Sequence, residues 1–363
     1  MQKVKVGIIG CGKISSIYME NCNQFEILDL AACADLDLDR ARQQAEKYNI
    51  PLACSVDELL SHPEIRIIIN LTIPAVHAEI CLKALEAGKH VYVEKPLAVT
   101  REQGRSVLEK AKEKGLLLGS APETFLGAGI QTALKLVREG VIGRPVSATA
   151  FMMSRGHESW HPDPEFYYAE GGGPMFDMGP YYLTALVQLL GPIKRVAGIT
   201  GKALTERTIT SSKKYGQTIP VGIPTHIAGT LEFEQGAIVT MITSFDIFGE
   251  STLPPIEIHG TGGSILVPDP NTFGGTVKYR KAGDSEWISQ PLVEGYSSDS
   301  RGIGTADMAD ALLHNRQHRA NGELAYHVLE AMWAFHDSSD SGSYYEMHST
   351  CRSPEPLPEG IKW

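Results

Sequence analysis

A short apolar run near residue 90 is followed by three residues that could take part in a reaction. Val91-Tyr92-Val93 is predicted to be a buried strand, and it leads directly into Glu94-Lys95-Pro96. Proline fixes its own backbone and restricts the preceding residue to extended geometry, so Lys95 is predicted to point in a defined direction. An ammonium held in this way can hydrogen-bond an alcohol oxygen and stabilise the charge that develops there during oxidation. The alternative is a surface lysine beside a turn proline.

A carboxylate and a phenol lie four residues apart in the segment Asp177-Met178-Gly179-Pro180-Tyr181. Proline is tolerated in the first turn of a helix, so a helix is predicted here with Asp177 as its N-cap. Residues four apart share one helical face, so Asp177 and Tyr181 can line one pocket. Tyr182 is a rival phenol, although it points about 100° away on an ideal helix. The alternative is that Asp177 only caps the helix and Tyr181 only packs.

A glycine-containing loop follows the first predicted strand, Val4–Ile9. The sequence Gly10-Cys11-Gly12-Lys13-Ile14-Ser15 has the pattern G-x-G-x-x-S. Gly10 allows a tight turn, and Gly12 lets the backbone approach a pyrophosphate at the N-terminus of the next helix. Serine in the third glycine position is small enough for helix–strand packing. Because the loop links a strand to a helix, it predicts a dinucleotide site.

The second predicted strand, Leu28–Ala34, is followed directly by Asp35, which lies 20 residues after Ser15. An acid at this distance is expected to bind the ribose hydroxyls of a dinucleotide. A carboxylate would repel a 2′-phosphate, and no arginine immediately follows it, so NAD is favoured over NADP. The alternative is that Asp35 caps a turn.

Ligands of an open parallel sheet bind beyond the carboxyl ends of its strands. The predicted cofactor contacts therefore combine the glycine loop and Asp35 with residues that follow later strands. They are Gly10, Gly12, Lys13, Ile14, Asp35, Thr72, Pro74, His77, Glu94 and Lys95.

The pattern of elements divides the chain near residue 122. Continuous apolar strands alternate with helices up to that point, which predicts a doubly wound parallel sheet. Later strands alternate apolar and polar residues and are joined by short glycine turns, which predicts antiparallel sheet. Residues 201–222 are polar and basic and are predicted to form a loop. We therefore expect an α/β protein with domains at 1–122 and 123–363.

Three strings resemble the Gfo/Idh/MocA family of glucose–fructose oxidoreductase-like and inositol dehydrogenase-like proteins: GIIGCGKIS, LTIPAVHAEICLKALEAGKHVYVEKPLA and VIGRP. The resemblance implies an N-terminal Rossmann domain that binds NAD. It also implies a C-terminal α+β domain with a large, mostly antiparallel open sheet for substrate binding and oligomerisation. It further implies that Lys95 matches the catalytic lysine of the family.

The family pattern D-x-G-x-H-x-x-D matches this chain only in part. Asp177 and Gly179 are kept, but Tyr181 stands at the histidine position and Thr184 at the final acid. A phenol with a pKa of about 10 is a poor base, although a neighbouring ammonium lowers that pKa. Glucose–fructose oxidoreductase-like members carry tyrosine here. We therefore expect Lys95 and Asp177 to hold the reacting hydroxyl, and Tyr181 to accept its proton as hydride passes to the nicotinamide.

The segment from Arg155 to Pro164 is dense in polar and aromatic residues. Trp160 could stack on a sugar face, and His157 or His161 could bond its hydroxyls; the alternative is an ordinary ordered loop. Glu123 and Thr124 stand where many relatives have asparagine and arginine, which leaves specificity open. The predicted substrate contacts are Glu123, His157, Trp160, His161 and Tyr182.

Composition excludes several classes of partner. The 363 residues carry a formal charge of −10, with 33 basic and 43 acidic residues, which argues against binding nucleic acid or anionic membranes. No apolar run approaches a membrane span, no leader segment is recognisable, and the six cysteines do not pair as CxxC. We expect reduced cysteines, a cytoplasmic location and a homodimer or homotetramer. His314 and His318 lie four apart without an obvious third ligand, so a solvated helix end is favoured and no metal is expected.

Three functions are compatible with these residues. The first is an NAD-dependent oxidoreductase that acts on a hydroxyl of a sugar, glycoside, inositol or related polyol. The second is an NAD-dependent glycosidase that works by transient oxidation and elimination. The third is a non-catalytic NAD-binding sensor, against which Lys95 and Asp177 count.

Overall fold

A computed structural model describes residues 2–249 and 251–363 of the chain. They form two compact units. The first unit comprises Met1–Gly127, Glu294–Leu329 and Pro354–Trp363, and the second comprises Ala128–Val293 and Glu330–Ser353.

This division differs from the predicted linear one, because the chain returns to the first unit after residue 293. Asn21 donates its side-chain amide to the carbonyls of Asp299 and Arg301, at 3.2 and 2.9 Å. The amide N–H of Gly302 donates to the Glu123 carboxylate at 2.6 Å. The sequence up to residue 122 therefore does not complete the first unit.

The described part of the first unit is built on a parallel sheet with the strand order β3-β2-β1-β4-β5-β6. The strands are β1 (Val4–Ile9), β2 (Leu28–Ala34), β3 (Leu52–Cys54), β4 (Ile67–Asn70), β5 (His90–Val93) and β6 (Leu118–Ser120). The helices are α1 (Ser15–Cys22), α2 (Leu38–Tyr48), α3 (Val56–Ser61), α4 (His77–Glu86) and α5 (Arg101–Lys114), with α9 (Ile303–His314) from the return segment. The predicted Rossmann fold is confirmed.

Local sequence explains where these helices begin. Asp37 caps α2 by accepting hydrogen bonds from the N–H groups of Asp39 and Arg40. Ser55 and Thr100 form capping boxes at the starts of α3 and α5. Each cap satisfies backbone donors that the helix leaves open, which typically contributes about 1 kcal/mol.

The described part of the second unit is built on a mixed sheet with the order β16-β15-β14-β13-β7-β12-β11-β8-β17. Its pairs are antiparallel except β7 with β12. The strands are β7 (Pro145–Met153), β8 (Ile193–Gly201), β11 (His226–Phe233), β12 (Ile238–Ser244), β13 (Ile256–Gly260), β14 (Gly263–Val267), β15 (Val277–Lys281), β16 (Ile288–Gln290) and β17 (Tyr345–Glu346). The helices are α6 (Ala128–Arg138), α7 (Gly173–Asp177) and α8 (Gly179–Leu190), together with the part of α10 (Gly322–Ser341) from Glu330 onward. The predicted large, mostly antiparallel sheet is confirmed.

The central strands of this sheet alternate buried and exposed residues. Leu231 and Met241 are fully buried, whereas Ile199 in β8 is 76% exposed. One face of the sheet therefore packs on the core of the second unit, and the opposite face carries exposed apolar side chains.

Residues 201–222 were predicted to be a loop, but they include two short strands. β9 (Glu206–Thr208) pairs antiparallel with β10 (Thr218–Pro220). Arg207 and Ile219 are buried although their neighbours are exposed. Alternate burial over only three residues is too short a signal to recognise in a polar sequence.

Four short 3₁₀ helices complete the backbone description: Pro74–Val76, Thr124–Leu126, Glu165–Tyr168 and Ser212–Lys214. The six cysteines are buried, and no disulfide bond joins them within the described residues. A helix long and apolar enough to span a membrane is absent from the described residues.

Candidate active site

The glycine loop lies at the carboxyl end of β1. Gly10 has a φ angle of 99°, and a β-carbon there would lie 2.7 Å from the backbone of Leu71, so only glycine fits this crossing. A β-carbon on Gly12 would meet nothing within 4 Å, which leaves this backbone open to a ligand. Ser15, in the third glycine position, is buried and donates its hydroxyl to the Gly12 carbonyl at 2.7 Å. Lys13 and Ile14 are exposed in the same loop. The loop thus offers accessible backbone at the N-terminus of α1, where a pyrophosphate can bind.

Asp35 follows the end of β2, and its side chain accepts a hydrogen bond from this loop. One carboxylate oxygen accepts the N–H of Cys11 at 2.8 Å, and the other accepts the N–H of Asp37 at 2.9 Å. The Arg40 guanidinium lies 3.4 Å from Asp35 and is about half exposed. Sequence reasoning missed this arginine because the N-cap at Asp37 turns the chain back, so that the first turn of α2 faces Asp35.

Exposed apolar side chains occur near the ends of the strands on either side of β1. Leu36 is 100% exposed and Ile73 is 66% exposed. Such residues can pack against the flat rings of a dinucleotide. The open Gly12 backbone, the Asp35 carboxylate and these apolar residues fit NAD. The loop would hold the pyrophosphate, and Asp35 would bind the ribose.

Glu94 and Lys95 follow β5. Glu94 is buried, with one carboxylate oxygen accepting the Tyr18 hydroxyl at 2.8 Å and the other accepting the Lys95 N–H at 2.8 Å. The Lys95–Pro96 peptide bond is cis. The Lys95 backbone is bonded to Glu94 on one side and followed by proline on the other, which fixes the origin of its side chain. The direction in which this side chain points stays a prediction.

Thr72, Pro74 and His77 form a connected segment after β4. The Asn70 side chain accepts the Thr72 hydroxyl at 2.6 Å. His77 is buried, and its ring nitrogens lie 2.7 Å from the Pro96 carbonyl and 3.0 Å from the Thr72 carbonyl. Burial lowers the pKa of His77. Any contribution of His77 to cofactor binding therefore acts through the two segments that its ring joins.

Glu123 was predicted to contact substrate, but it lies inside the first unit with 1% exposure. Its carboxylate accepts the Gly302 N–H at 2.6 Å, the Tyr92 hydroxyl at 2.9 Å and the Tyr18 hydroxyl at 3.4 Å. Burial, and then the nearby Glu94 charge, raise the pKa of Glu123 to about 6. We call Tyr18, Tyr92, Glu94 and Glu123 the phenol cluster. Sequence reasoning missed the two tyrosines because each reads as an ordinary apolar position.

Asp177 is the last residue of α7, which corrects its predicted role as the N-cap of α8. Met178 occupies the N-cap position of α8 without a side-chain hydrogen bond, and Pro180 lies in the first turn as predicted. Asp177 therefore lies one residue before the N-cap of α8. Its Oδ2 lies 2.8 Å from Nε2 of His157, which comes from the loop after β7.

A buried ionic cluster anchors this loop. Arg207 is 2% exposed and donates to the carboxylates of Glu158, at 3.0 Å, and Asp246. The Tyr168 hydroxyl also donates to Glu158. We call Glu158, Tyr168, Arg207 and Asp246 the arginine cluster. Gly156 is needed beside it because a β-carbon there would lie 2.2 Å from the Tyr168 oxygen.

Aromatic rings surround His157. The ring centroids of Tyr167, Phe245 and Trp160 lie 4.0, 4.7 and 5.1 Å from its own. Trp160 is 55% exposed, and His161 accepts the N–H of Asp163 at 3.1 Å. The loop thus holds one histidine firmly and presents an exposed indole. The predicted substrate contacts at His157, Trp160 and His161 stay predictions.

Tyr181 and Tyr182 both lie in the first turns of α8 and are buried. The Tyr182 hydroxyl donates to the Phe151 carbonyl at 3.4 Å, and burial raises the pKa of Tyr182. These features describe a packing residue, so Tyr182 is a weaker candidate for substrate contact than the sequence suggested. Thr184, at the position of the final acid in the family pattern, is also buried.

The histidine pair considered as a metal site does not share a helix end. His314 is the last residue of α9, whereas His318 lies beyond it, is buried and contacts the Leu118 carbonyl at 3.0 Å. Burial lowers the pKa of His318 to about 4. Among the described residues, no three His, Cys, Asp or Glu side chains cluster in a way that could hold a metal ion.

Two family models match the chain in sequence. Residues 4–121 match the oxidoreductase family with an NAD-binding Rossmann fold, and residues 130–266 match the GFO/IDH/MocA C-terminal domain. The chain belongs to the Gfo/Idh/MocA oxidoreductase family.

Relatives within this family include characterised dehydrogenases. Levoglucosan dehydrogenase of Pseudarthrobacter phenanthrenivorans is 25% identical over 73% of this chain and 74% of the relative. D-glucoside 3-dehydrogenase of Escherichia coli is 26% identical over 95% of this chain and 97% of the relative. A solved structure of levoglucosan dehydrogenase with NADH and L-sorbose has a TM-score of 0.82 at 20% identity, covering 96% of this chain and all of that one, which supports the fold.

Family membership confirms three predictions from sequence. The resemblance to Gfo/Idh/MocA proteins is correct, the chain is an NAD-dependent oxidoreductase, and NAD is its cofactor. The roles of individual residues stay predictions.

Proposed function

We propose that this family member oxidises or reduces a hydroxyl carbon of a sugar, glycoside, inositol or related polyol. The observation that carries the proposal is the contact between Asp177, at the end of α7, and His157. His157 belongs to an aromatic loop that also exposes Trp160. Indole faces pack on the apolar faces of sugar rings, while charged and imidazole groups bond hydroxyls. Levoglucosan dehydrogenase and myo-inositol 2-dehydrogenase, two relatives, are named for substrates of this class.

In the proposed mechanism, NAD supplies the hydride acceptor, C4 of its nicotinamide. Lys95 donates a hydrogen bond to the reacting oxygen and stabilises negative charge on it. Asp177 holds the same hydroxyl. The sequence predicts Tyr181 as the proton acceptor, a role that would require the Lys95 ammonium to lower the pKa of its phenol. Fixed backbone at Lys95, through Glu94 and Pro96, limits the reorganisation that the reaction requires.

We also propose self-association as a homodimer or homotetramer through the outward face of the nine-stranded sheet. Ile199 and Ile238 on this face are 76% and 56% exposed. Exposed apolar side chains on an open sheet are typical of surfaces that a second subunit covers. Six buried cysteines without a disulfide bond among the described residues fit the reducing cytoplasm.

The test is a panel of sugars and cyclitols with NAD and NADP, followed at the absorbance of the reduced cofactor. We expect NAD-dependent turnover of at least one secondary alcohol in the panel. Lys95→Ala should retain NAD binding, measured by fluorescence titration, and lose at least about 10²-fold in kcat. Equal turnover by this variant would exclude a catalytic role for Lys95. Glycoside cleavage without accumulation of NADH would instead indicate the glycosidase mechanism.

A further inference from the structure

The two ring nitrogens of His157 have different surroundings. Nε2 lies 2.8 Å from Asp177 Oδ2, whereas Nδ1 makes no hydrogen bond to any residue that the structure describes. An ionised carboxylate only accepts hydrogen bonds. In the neutral imidazole, the proton therefore lies on Nε2, and Nδ1 keeps its lone pair.

Packing fixes the orientation of the His157 ring and so the direction of this lone pair. Tyr167, Phe245 and Trp160 pack around the ring, and the backbone N–H of His157 donates to the Tyr168 hydroxyl oxygen at 3.3 Å. Tyr168 in turn belongs to the arginine cluster. A carboxylate that orients an imidazole whose other nitrogen is open is the arrangement of a general base.

A phenol such as that of Tyr181 is a poorer proton acceptor at neutral pH than an imidazole such as that of His157. An unperturbed phenol has a pKa of about 10 and is almost fully protonated at neutral pH. An imidazole, at about 6.5, carries a lone pair at neutral pH and releases a gained proton readily. The family pattern has a histidine at the position of Tyr181, and His157 can supply the same imidazole chemistry in this chain.

We propose that Nδ1 of His157 accepts the hydroxyl proton of the substrate and that Asp177 orients the ring. The proposal rests on the proposed dehydrogenase function. On oxidation, the C–H electron pair leaves as hydride to NAD, and the O–H electron pair forms the carbonyl. The hydroxyl proton forms an N–H bond at Nδ1, which makes an imidazolium beside the Asp177 carboxylate, and it then passes to solvent.

Charged and titratable groups from several elements face this histidine. Asp177 lies at the end of α7, Tyr167 and Tyr168 lie on the 3₁₀ helix Glu165–Tyr168, and Glu158 and His161 share its loop. Arg207 of β9 pairs with Glu158 at 3.0 Å. Because the Glu158 carboxylate is paired with the Arg207 guanidinium, Asp177 supplies the negative charge that stabilises the imidazolium.

The kinetic test compares His157→Gln with Tyr181→Phe at saturating NAD. We expect kcat/KM to fall about 10²–10⁴-fold in the first variant and less than about 10-fold in the second. The acidic limb of the pH profile of kcat/KM should disappear in His157→Gln, and added imidazole should partly restore kcat in His157→Ala. His314→Gln is the matched control, because His314 also contacts a carboxylate, Asp310 at 3.1 Å, but on an exposed helix end. Its activity should be unchanged.

A larger loss in Tyr181→Phe than in His157→Gln would overturn the proposal and leave the dehydrogenase function standing. An inactive His157→Gln that still binds NAD and unfolds at the wild-type temperature would count as support, whereas an unchanged acidic limb would count against it. A wild type that oxidises no alcohol would overturn both proposals together.

Nitrogen NMR of ¹⁵N-histidine-labelled protein tests the arrangement without turnover. We expect His157 of the wild type to carry its proton on Nε2. In Asp177→Asn, the amide can donate to Nε2, so the proton should move to Nδ1. A wild type protonated on Nδ1 at neutral pH would overturn the assignment of the base, whatever the activity measurements show.

Discussion

Each unit contains a buried polar cluster, and the two clusters stabilise their carboxylates by different means. In the arginine cluster, the guanidinium of Arg207 lies against Glu158 and Asp246, so buried charges of opposite sign are paired. In the phenol cluster, Glu94 and Glu123 receive hydrogen bonds from hydroxyl and amide groups. Burial, and then the nearby Glu94 charge, raise the pKa of Glu123, and the hydrogen bonds from Gly302 and Tyr92 offset this only in part.

The difference extends to what each cluster supports. The phenol cluster holds the backbone from which Lys95 projects, through the bond between Glu94 and the Lys95 N–H. The arginine cluster holds the loop that carries His157. The stability that the phenol cluster contributes should therefore change with pH between 4.5 and 6. The stability of the arginine cluster depends instead on the single positive charge of Arg207.

The largest expected effect is the loss of that cation. Arg207→Met removes the positive charge while keeping much of the side-chain volume, and it leaves two buried carboxylates without their partner. We expect the free energy of unfolding to fall by about 3–5 kcal/mol in urea denaturation at pH 7. Arg195→Met is the matched control, because Arg195 pairs with Glu232 at a partly exposed position of the nine-stranded sheet, and it should lose at most about 1 kcal/mol. Similar losses in both variants would contradict the contrast between buried and exposed pairs.

Glu123→Gln tests the pH sensitivity of the phenol cluster. The pKa of Glu123 is about 6 in the folded state, against an ordinary value of 4.5 for a glutamate, so the folded state binds the proton more tightly than the unfolded state. This carboxyl therefore favours folding below pH 4.5, and its contribution is lost as the pH rises to 6. The loss amounts to about 2 kcal/mol.

The measurement is the free energy of unfolding of the wild type minus that of Glu123→Gln, at several pH values between 4 and 7. This difference should fall by about 2 kcal/mol across the range, because the amide does not titrate. Taking the difference removes the contribution of carboxylates that both proteins share. A difference independent of pH would show that Glu123 ionises as readily in the folded protein as in the unfolded chain.

Two tyrosine variants give the smallest effect. Tyr18→Phe removes the donor to one oxygen of Glu94, and we expect a loss of about 1–2 kcal/mol. Tyr168→Phe removes a donor to Glu158, which keeps its bond to Arg207, so the loss should be about 1 kcal/mol smaller. Thermal and urea unfolding of both variants would measure the gap. The reverse order would mean that the phenol supports Glu158 more than the guanidinium does.

Most of the first sheet could be predicted because its strands are continuous apolar runs. Val4–Ile9 and Leu28–Ala34 were placed with the bounds that the structure has. Such runs are buried on both faces, so their signal does not depend on a partner elsewhere in the chain. The glycine loop and Asp35 were recognisable for a related reason, since their spacing along one strand–loop–helix unit determines their geometry.

Other features depend on residues that are distant in sequence. Glu123 reads as an exposed acid until Tyr18, Tyr92 and Gly302 surround it. Arg207 reads as one basic residue in a polar loop until Glu158 and Asp246 approach it. The contact of His157 with Asp177 joins two segments that were each identified as polar, but no local pattern indicates that they meet. Sequence therefore predicts the supporting elements better than the tertiary contacts of the candidate site.

The bond between Gly302 and Glu123 joins groups 179 residues apart. On a ribosome that adds about 5–20 residues per second, the amide would emerge roughly 10–35 s after the carboxylate. Until then, water must solvate an acid that the finished protein encloses. A nascent chain that has exposed only its N-terminal third therefore lacks the Gly302 N–H that Glu123 bonds, and this interior is completed only when the return segment has been synthesised.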